Sequence, residues 1–423
     1  MKNIVTFLLM GLLANQGVSQ VFLKDIAFTN ATIIDANHRQ PLEHQTILLR
    51  GKTIAAIFPD GRQPLPDSAV VFNLKGKFVI PGLIDTHVHM ATDPSGTDNR
   101  AATLRVLENM LYTGITSVRD MAGDARTLAG LSRDALTGDI VSPDIYYSAL
   151  MAGPAFFRDP RTIATARGGV AGGMPYMKAV SDSTNLVLAV AEAKGTGASG
   201  IKLYAQLPAK LVAAIVAEAR KQGLMVWGHA WLSPAKPSDL INAGVSSISH
   251  APLIIHETMD SIPASWKNSV HPSPFWDDAV PSYTALFRLM KEHHTILDAT
   301  MATYQKWGKE DPAYQYDYEI TKRITAQAYK AGVTICAGTD DDQESLVQHE
   351  MHLLVYDAGL SPIDALVAAT LHGAQAIGID GATGTIDVGK AADLVVLDQN
   401  PLAGIDNIKS VFMVMKAGKI FKK

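Results

Sequence analysis

Val79-Ile80-Pro81-Gly82-Leu83-Ile84-Asp85-Thr86-His87-Val88-His89-Met90 is an apolar run that ends in two histidines. In a strand, side chains two residues apart point to the same side. His87 and His89 can therefore aim at one point, and two neutral imidazoles on one point suit a transition metal. The alternative is a pair of histidines in a polar loop, since His-x-His arises often by chance. The rest of the chain has to decide.

Seven further short apolar strands follow: "TSVRD" (116–120), "DIYYSA" (144–149), "GIKLY" (200–204), "LMVWGH" (224–229), "SSISHA" (246–251), "TILDAT" (295–300) and "TICAGTD" (334–340). Helical stretches such as "AATLRVLENMLYTG" and "PAKLVAAIVAEARKQG" lie between them. The latter has apolar residues at i, i+3, i+4 spacing and closes on Gly223, a helix-stop signal. With "FVIPGLID" as the first, eight strands each followed by a crossover predict an α/β fold, a (β/α)8 TIM barrel over 79–382.

The two ends have another texture. Residues 28–74 carry short strands with turn signals, "NATIIDA", "QTILLRGKTIAAIFP" and "AVVFNL", with a hairpin turn at Arg50-Gly51-Lys52. "GTIDVGKAADLVVLD" and "SVFMVMKAGKIFK" repeat it at the C-terminus. Segments 20–78 and 383–423 are thus expected to build one small β-sandwich. The first residues read as a signal peptide, 1–19: Lys2, an apolar run from Ile4 to Leu13, then Gly17-Val18-Ser19 as a small-residue cleavage site. The expected location is secreted or periplasmic. No cysteine stands near that site for a lipid anchor.

Composition excludes several classes. Of 423 residues, 47% are hydrophobic and 18% charged, the balance of a well-buried globular chain. A net charge of -4, with no basic cluster, argues against nucleic acid or a membrane surface as partner. No later apolar run reaches the ~18 residues of a membrane span. Cys336 is the only cysteine, so no intramolecular disulfide can form. Composition leaves room for a homo-oligomer and says nothing more about assembly.

In such barrels the chemistry sits where strands end at the C-terminal face. Strand one ends in His87 and His89, strand four carries Lys202, strand five ends at His229, strand six at His250 and strand eight at Asp340. Four imidazoles, a lysine and a carboxylate converge on one rim. An ammonium cannot bind a metal, but a lysine held neutral can take up carbon dioxide as a carbamate. Lys202, flanked by apolar residues, is a poor surface residue.

These motifs resemble the metal-dependent amidohydrolase superfamily, in particular secreted prolidase-like and imidazolonepropionase-related amidohydrolases. "VIPGLIDTHVH", "GITSVRD", "GIKLY", "WGHA", "ISHA", "AGTD", "AGLSPIDALVAAT" and "GTIDVGKAADLVVLDQNPL" fall in the family's order. The resemblance implies two divalent ions, zinc foremost. His87 and His89 would bind the more buried ion, His229 and His250 the more exposed one. Carboxylated Lys202 would bridge them and Asp340 would complete the first site. It also implies a hydroxide between the metals that attacks an amide, with Asp340 carrying the proton to the leaving amine. A dipeptide or N-acyl amino acid is the expected substrate. A cyclic amide or lactone is the rival on the same site, and a barrel that only binds is the rival of another class.

After strand three the chain departs from many relatives, with "MAGPAFFRDPRTIATARGGVAGGMPYM" where they often carry Thr-Gly-Gly-His. Arg158, Arg161 and Arg167 there are candidate clamps for a substrate carboxylate, against the alternative of surface ion pairs with Asp159. Tyr204, two residues after Lys202, is a candidate substrate contact or a packing residue. Asp120 is expected to hydrogen-bond structurally, and Asp341 and Asp342 to cap or solvate the loop after Asp340. Cys336 reads as a small buried residue. His256, His271, His293, His294, His349, His352 and His372 are expected at the surface or behind the ligands. The long loop 252–281 is expected to be functional.

Overall fold

The computed structural model describes residues 25–91, 99–258, 283–341 and 346–422. The expected signal peptide, Asp342, His271 and most of the loop 252–281 lie outside the described residues.

The opening stretch proves to be two strands. Phe78–Pro81 and Leu83–Val88 are separated at Gly82. Pro81 has no N–H to continue a ladder. At Gly82 any Cβ would fall 2.1 Å from Thr116 Oγ1, so only glycine lets the chain turn there. Phe78–Pro81 pairs antiparallel with Leu394–Leu397 of the C-terminal segment. Leu83–Val88 pairs in parallel with Ile115–Asp120. A barrel starting at residue 79 is thus corrected: residues 79–81 belong to the terminal sheet, and the barrel begins after Gly82.

The terminal sheet has eight strands drawn from both ends of the chain. Along its path run Lys419–Phe421, Val411–Lys416, Leu394–Leu397, Phe78–Pro81, Ile26–Ile33, Leu42–Arg50 and Thr53–Pro59, with Val70–Asn73 also paired to Ile26–Ile33. The hairpin at Gly51 turns through a left-handed φ of 58°. One face buries Phe28, Ile33, Ile47, Leu49, Leu394, Val396 and Met415 in a core of their own. Alternate residues of the same strands, Ile80, Val395 and Leu397, pack against the barrel core instead.

The barrel strands are Leu83–Val88, Ile115–Asp120, Asp144–Ala152, Gly200–Leu203, Met225–His229, Ser247–Ser249, Ile296–Asp298 and Ile335–Cys336. Each pairs in parallel with the next. Between the last and the first, the Thr86 amide donates to the Ala337 carbonyl (3.0 Å) and the Asp340 amide to the His87 carbonyl (2.8 Å), which closes the ring. Helices cover the outside; Ala209–Lys221 buries Leu211, Val212, Ile215 and Val216 on one stripe, as its spacing predicts. No helix among the described residues is long and apolar enough to cross a membrane.

The barrel interior is polar for a packed core. Arg119 is wholly buried and spans it. Its Nε donates to the Thr86 carbonyl (2.7 Å), and its Nη1 to Ser247 Oγ (3.1 Å) and the Ala376 carbonyl (3.0 Å). The Trp227 ring lies 4.8 Å from its guanidinium carbon. An arginine that stitches strands one, two and six together is a floor on which the strand ends rest.

Candidate active site

All six residues expected to bind metal lie at the C-terminal ends of barrel strands or just beyond. The structure gathers His87, His250 and Asp340 most tightly, each offering one ligand atom within 4.8 Å of the others. His89 Nε2 stands 3.0 Å from Asp340 Oδ1, and His87 Nε2 3.5 Å from it. His229 packs edge-on to His250, with ring centroids 4.3 Å apart. Lys202 lies beneath them and donates from Nζ to Ser249 Oγ (3.3 Å).

Three of the four rings are held from behind. His87 Nδ1 meets Asp298 Oδ2 at 2.7 Å, His89 Nδ1 meets the Ala122 carbonyl at 3.2 Å, and His250 Nδ1 meets Thr300 Oγ1 at 3.0 Å. Occupying Nδ1 leaves Nε2 as the atom each ring can offer to a metal. Asp298 is itself held: Ser249 Oγ donates to Oδ2 (2.9 Å), and Arg119 Nη2 lies 3.6 Å away. Lys202, Ser249, Asp298, His87 and Arg119 thus form one buried network.

Backbone geometry aims these groups. His250, Thr300 and Asp340 adopt left-handed φ values of 74°, 53° and 50°, strained for residues with side chains. Such strain at three strand ends around one point marks a functional site. Gly338 permits the approach of strand eight, because a Cβ there would lie 2.4 Å from Asp298 Oδ1 and 2.8 Å from His87 Cβ.

Burial favours the unprotonated form at Lys202, His229 and His250, but not at His89. Burial drives the Lys202 amine down to about 7, with Arg119 adding to the effect and Asp298 and Asp340 opposing it. Burial lowers His250 to about 3 and His229 well below its usual range, reinforced by their cationic neighbours. Burial also disfavours a charged His89, but the Asp340 hydrogen bond and charge win and raise it to about 9. Asp340 is held well below the usual carboxylate range: burial opposes, and His87, His89 and His250 together prevail.

This donor set fits divalent metal. Three imidazoles with Nδ1 occupied, a deprotonated carboxylate and a lysine whose amine burial makes easy to deprotonate face one another, and soft-to-borderline nitrogen with carboxylate oxygen suits zinc and its neighbours. Asp298 Oδ1 is buried and has no hydrogen-bond partner, the mark of a carboxylate whose charge answers a cationic centre nearby.

Tyr204 forms the wall beside this centre. Its ring lies 3.9 Å from that of His229 and 4.5 Å from that of Phe156, in the segment after strand three. Burial raises its pKa, and the Arg161 guanidinium beside its hydroxyl opposes. Arg161 also holds Asp159 through two nitrogens, at 3.1 and 2.8 Å. Arg158 is exposed, and Arg167 offers its carbonyl to Arg126 Nη1 (3.3 Å). Of the three arginines, Arg161 alone is brought to Tyr204. Asp120 accepts the amides of Met90 and Ala122 at 2.5 and 3.2 Å, as a structural carboxylate does.

Sequence reasoning missed Asp298, Ser249, Thr300 and Arg119. Asp298 carried a usable signal, an acid inside an apolar strand whose end faces the rim. His256 is not a surface residue; it is 2% exposed and stacked on Trp231 with ring centroids 3.7 Å apart.

Known proteins share this architecture. An ochratoxinase from Aspergillus niger is 27% identical over 90% of this chain and 84% of its own. A prolidase complexed with N-methylphosphonate-L-proline is 26% identical, with TM-score 0.75 over 95% of this chain and all of that one. A Xaa-Pro dipeptidase with bound methionine, at 21% identity, shares the fold with TM-score 0.77 over 95% of this chain and all of its own. The Amidohydrolase family matches residues 78–421, which take in the whole barrel and every candidate ligand named above, and this chain belongs to that family.

Proposed function

We propose that this chain is a binuclear metal-dependent hydrolase that cleaves an amide bond in a dipeptide or N-acyl amino acid. The observation that carries the reading is Lys202, an amine with no exposed surface, set under four histidines and an aspartate. Burial there keeps it a nucleophile able to form a carbamate with carbon dioxide. His87, His89, His229, His250, Asp340 and carbamylated Lys202 would hold two divalent ions, zinc foremost. When bound, such ions acidify a water and polarise the scissile carbonyl.

The protein's own groups then do the rest. Asp340, facing His87, His89 and His250, takes the proton of the attacking water and passes it to the leaving amine, so the amide gives a carboxylic acid and an amine. Tyr204 and Arg161 form a wall suited to the substrate's free carboxylate. The prolidase and dipeptidase among the structural relatives support linear amides over lactones. We further read the chain as exported, a point that N-terminal sequencing of the mature protein decides.

The test is elemental analysis with a substrate panel. About two divalent ions per chain, with turnover on dipeptides or N-acyl amino acids above lactones, is the expected result. Lys202→Ala should lose metal and most activity, while Asp340→Asn should lose kcat. A folded protein without metal and without activity on adding zinc, manganese or cobalt refutes the reading.

A further inference from the structure

Beyond the metal ligands, one buried acid has no employment in the fold. Asp317 lies in the first turn of helix Gln315–Lys330 and is 9% exposed, and its Oδ1 is buried without a hydrogen-bond partner. Among the described residues no cation offsets it: burial raises its pKa, to about 7. A carboxylate in the first turn gains from the helix dipole, but a solvated one gains the same without the cost of burial. Something other than folding has to account for its position.

That position is beside the site. The helix packs on 251–257 and 301–310, the segments that leave strands six and seven at the catalytic rim. Tyr304, in the segment 301–310 on which the helix packs, is 6% exposed, with its ring 6.1 Å from that of His250. After burial itself, the groups that raise the Tyr304 phenol are Asp317, Asp340 and Tyr204, so their charges act on it. Asp317 and Asp340 thus act on the same phenol. Tyr204 and Arg161 occupy the strand-four side of the centre, and Tyr304 and Asp317 the side of strands six and seven.

We propose that Asp317 anchors a cationic group, an ammonium or guanidinium, on the acyl half of the substrate. The proposal rests on the amide-hydrolase reading and narrows it to substrates whose acyl half is cationic. With Arg161 and Tyr204 taking the carboxylate of the leaving half, the acyl half is directed to the opposite wall. The Asp317 carboxylate, whose Oδ1 has no hydrogen-bond partner, is the acceptor there.

The experiment compares lysyl and norleucyl dipeptides sharing one second residue, on metal-loaded full-length protein and its Asp317→Asn and Asp317→Glu variants. The parent should favour the lysyl peptide in kcat/KM by about tenfold to a hundredfold, the worth of one charged hydrogen bond. Asp317→Asn should abolish that preference and leave the norleucyl rate unchanged, while Asp317→Glu keeps part of it. Asp317→Asn should also melt no lower than the parent, since it removes an unpaired buried charge. Equal losses on both peptides, an unchanged ratio, or a lowered melting temperature overturns the proposal. If neither peptide is cleaved, the amide reading falls alone, and calorimetric titration with lysinamide decides: binding that Asp317→Asn removes supports the anchor, and no binding to the parent overturns it.

Discussion

Asp298→Asn is the substitution whose effect the structure specifies most fully. Asparagine keeps the volume and one acceptor oxygen but removes the charge. Three contacts depend on that charge: His87 Nδ1 at 2.7 Å, Ser249 Oγ at 2.9 Å and Arg119 Nη2 at 3.6 Å. Asp298 and Arg119 have no exposed surface, so solvent cannot replace the lost partner. Removing one member of a buried ion pair costs about 3–5 kcal/mol, mostly because the other charge is stranded. Relief of the aspartate's own burial places the expected loss near the lower end, about 3 kcal/mol. The orientation of His87 should suffer as well, weakening metal binding by about tenfold to a hundredfold. The assay is a pair of measurements on parent and variant, urea unfolding of the metal-free protein and metal-binding titration of the folded one. Asp298 is lowered from its usual 3.8, His87 and Arg119 outweighing burial. A depressed carboxylate stabilises above its unfolded pKa and loses that contribution as pH falls through the folded value. As far as Asp298 is concerned, the gap between the two proteins should hold at neutral pH and close below 3.8. Identical urea midpoints and identical metal affinity would show that the network under His87 is not what holds the site.

Two further substitutions test the surroundings. Gly338→Ala should cost about 1–3 kcal/mol and weaken metal binding, because the new methyl meets Asp298 Oδ1 at 2.4 Å, whereas Gly130→Ala, with open space around it in helix Ala125–Thr137, should be neutral or stabilising; denaturant midpoints that fall equally for both sink the packing argument. Glu350 is wholly buried and accepts the Met301 and Ala302 amides at 3.0 and 2.7 Å, yet burial outweighs these bonds and raises its pKa from 4.5 to about 8. A raised carboxylate loses stability as pH climbs from 4.5 to about 8, so Glu350→Gln should be the less stable protein at pH 5, by about 1 kcal/mol for the amide left unpaired, and the gap should narrow by pH 8; a gap that widens with pH refutes this.

Much of the barrel was legible because its signals are local. Each strand is a short apolar run, each helix carries its own stripe, and Gly223 marks its own stop. The gathering of His87, His89, His250 and Asp340 at one rim was legible for a related reason: a strand that ends in His or Asp advertises the residue there. The boundary at residue 79 failed because an apolar run does not record which sheet it pairs with. Phe78–Pro81 and Leu83–Val88 look alike until Leu394–Leu397 and Ile115–Asp120 arrive as partners.

What the sequence determined by itself is therefore the count of barrel strands, their alternation with helices, the shared texture of the two ends and the residue types at the strand tips. What the tertiary structure decided is everything that depends on residues far apart in the chain. Arg119 could not be read as the barrel's floor, since its partners Thr86, Ser247 and Ala376 come from three other segments. Arg158, Arg161 and Arg167 were equivalent in sequence, and folding brought only Arg161 to Tyr204. Asp317 was one acid on an amphipathic helix until packing removed it from water and gave it no partner. Periodicity along the chain reports which way a side chain faces. Burial, charge pairing and pKa depend on what faces it, and that is fixed only when the chain has closed on itself.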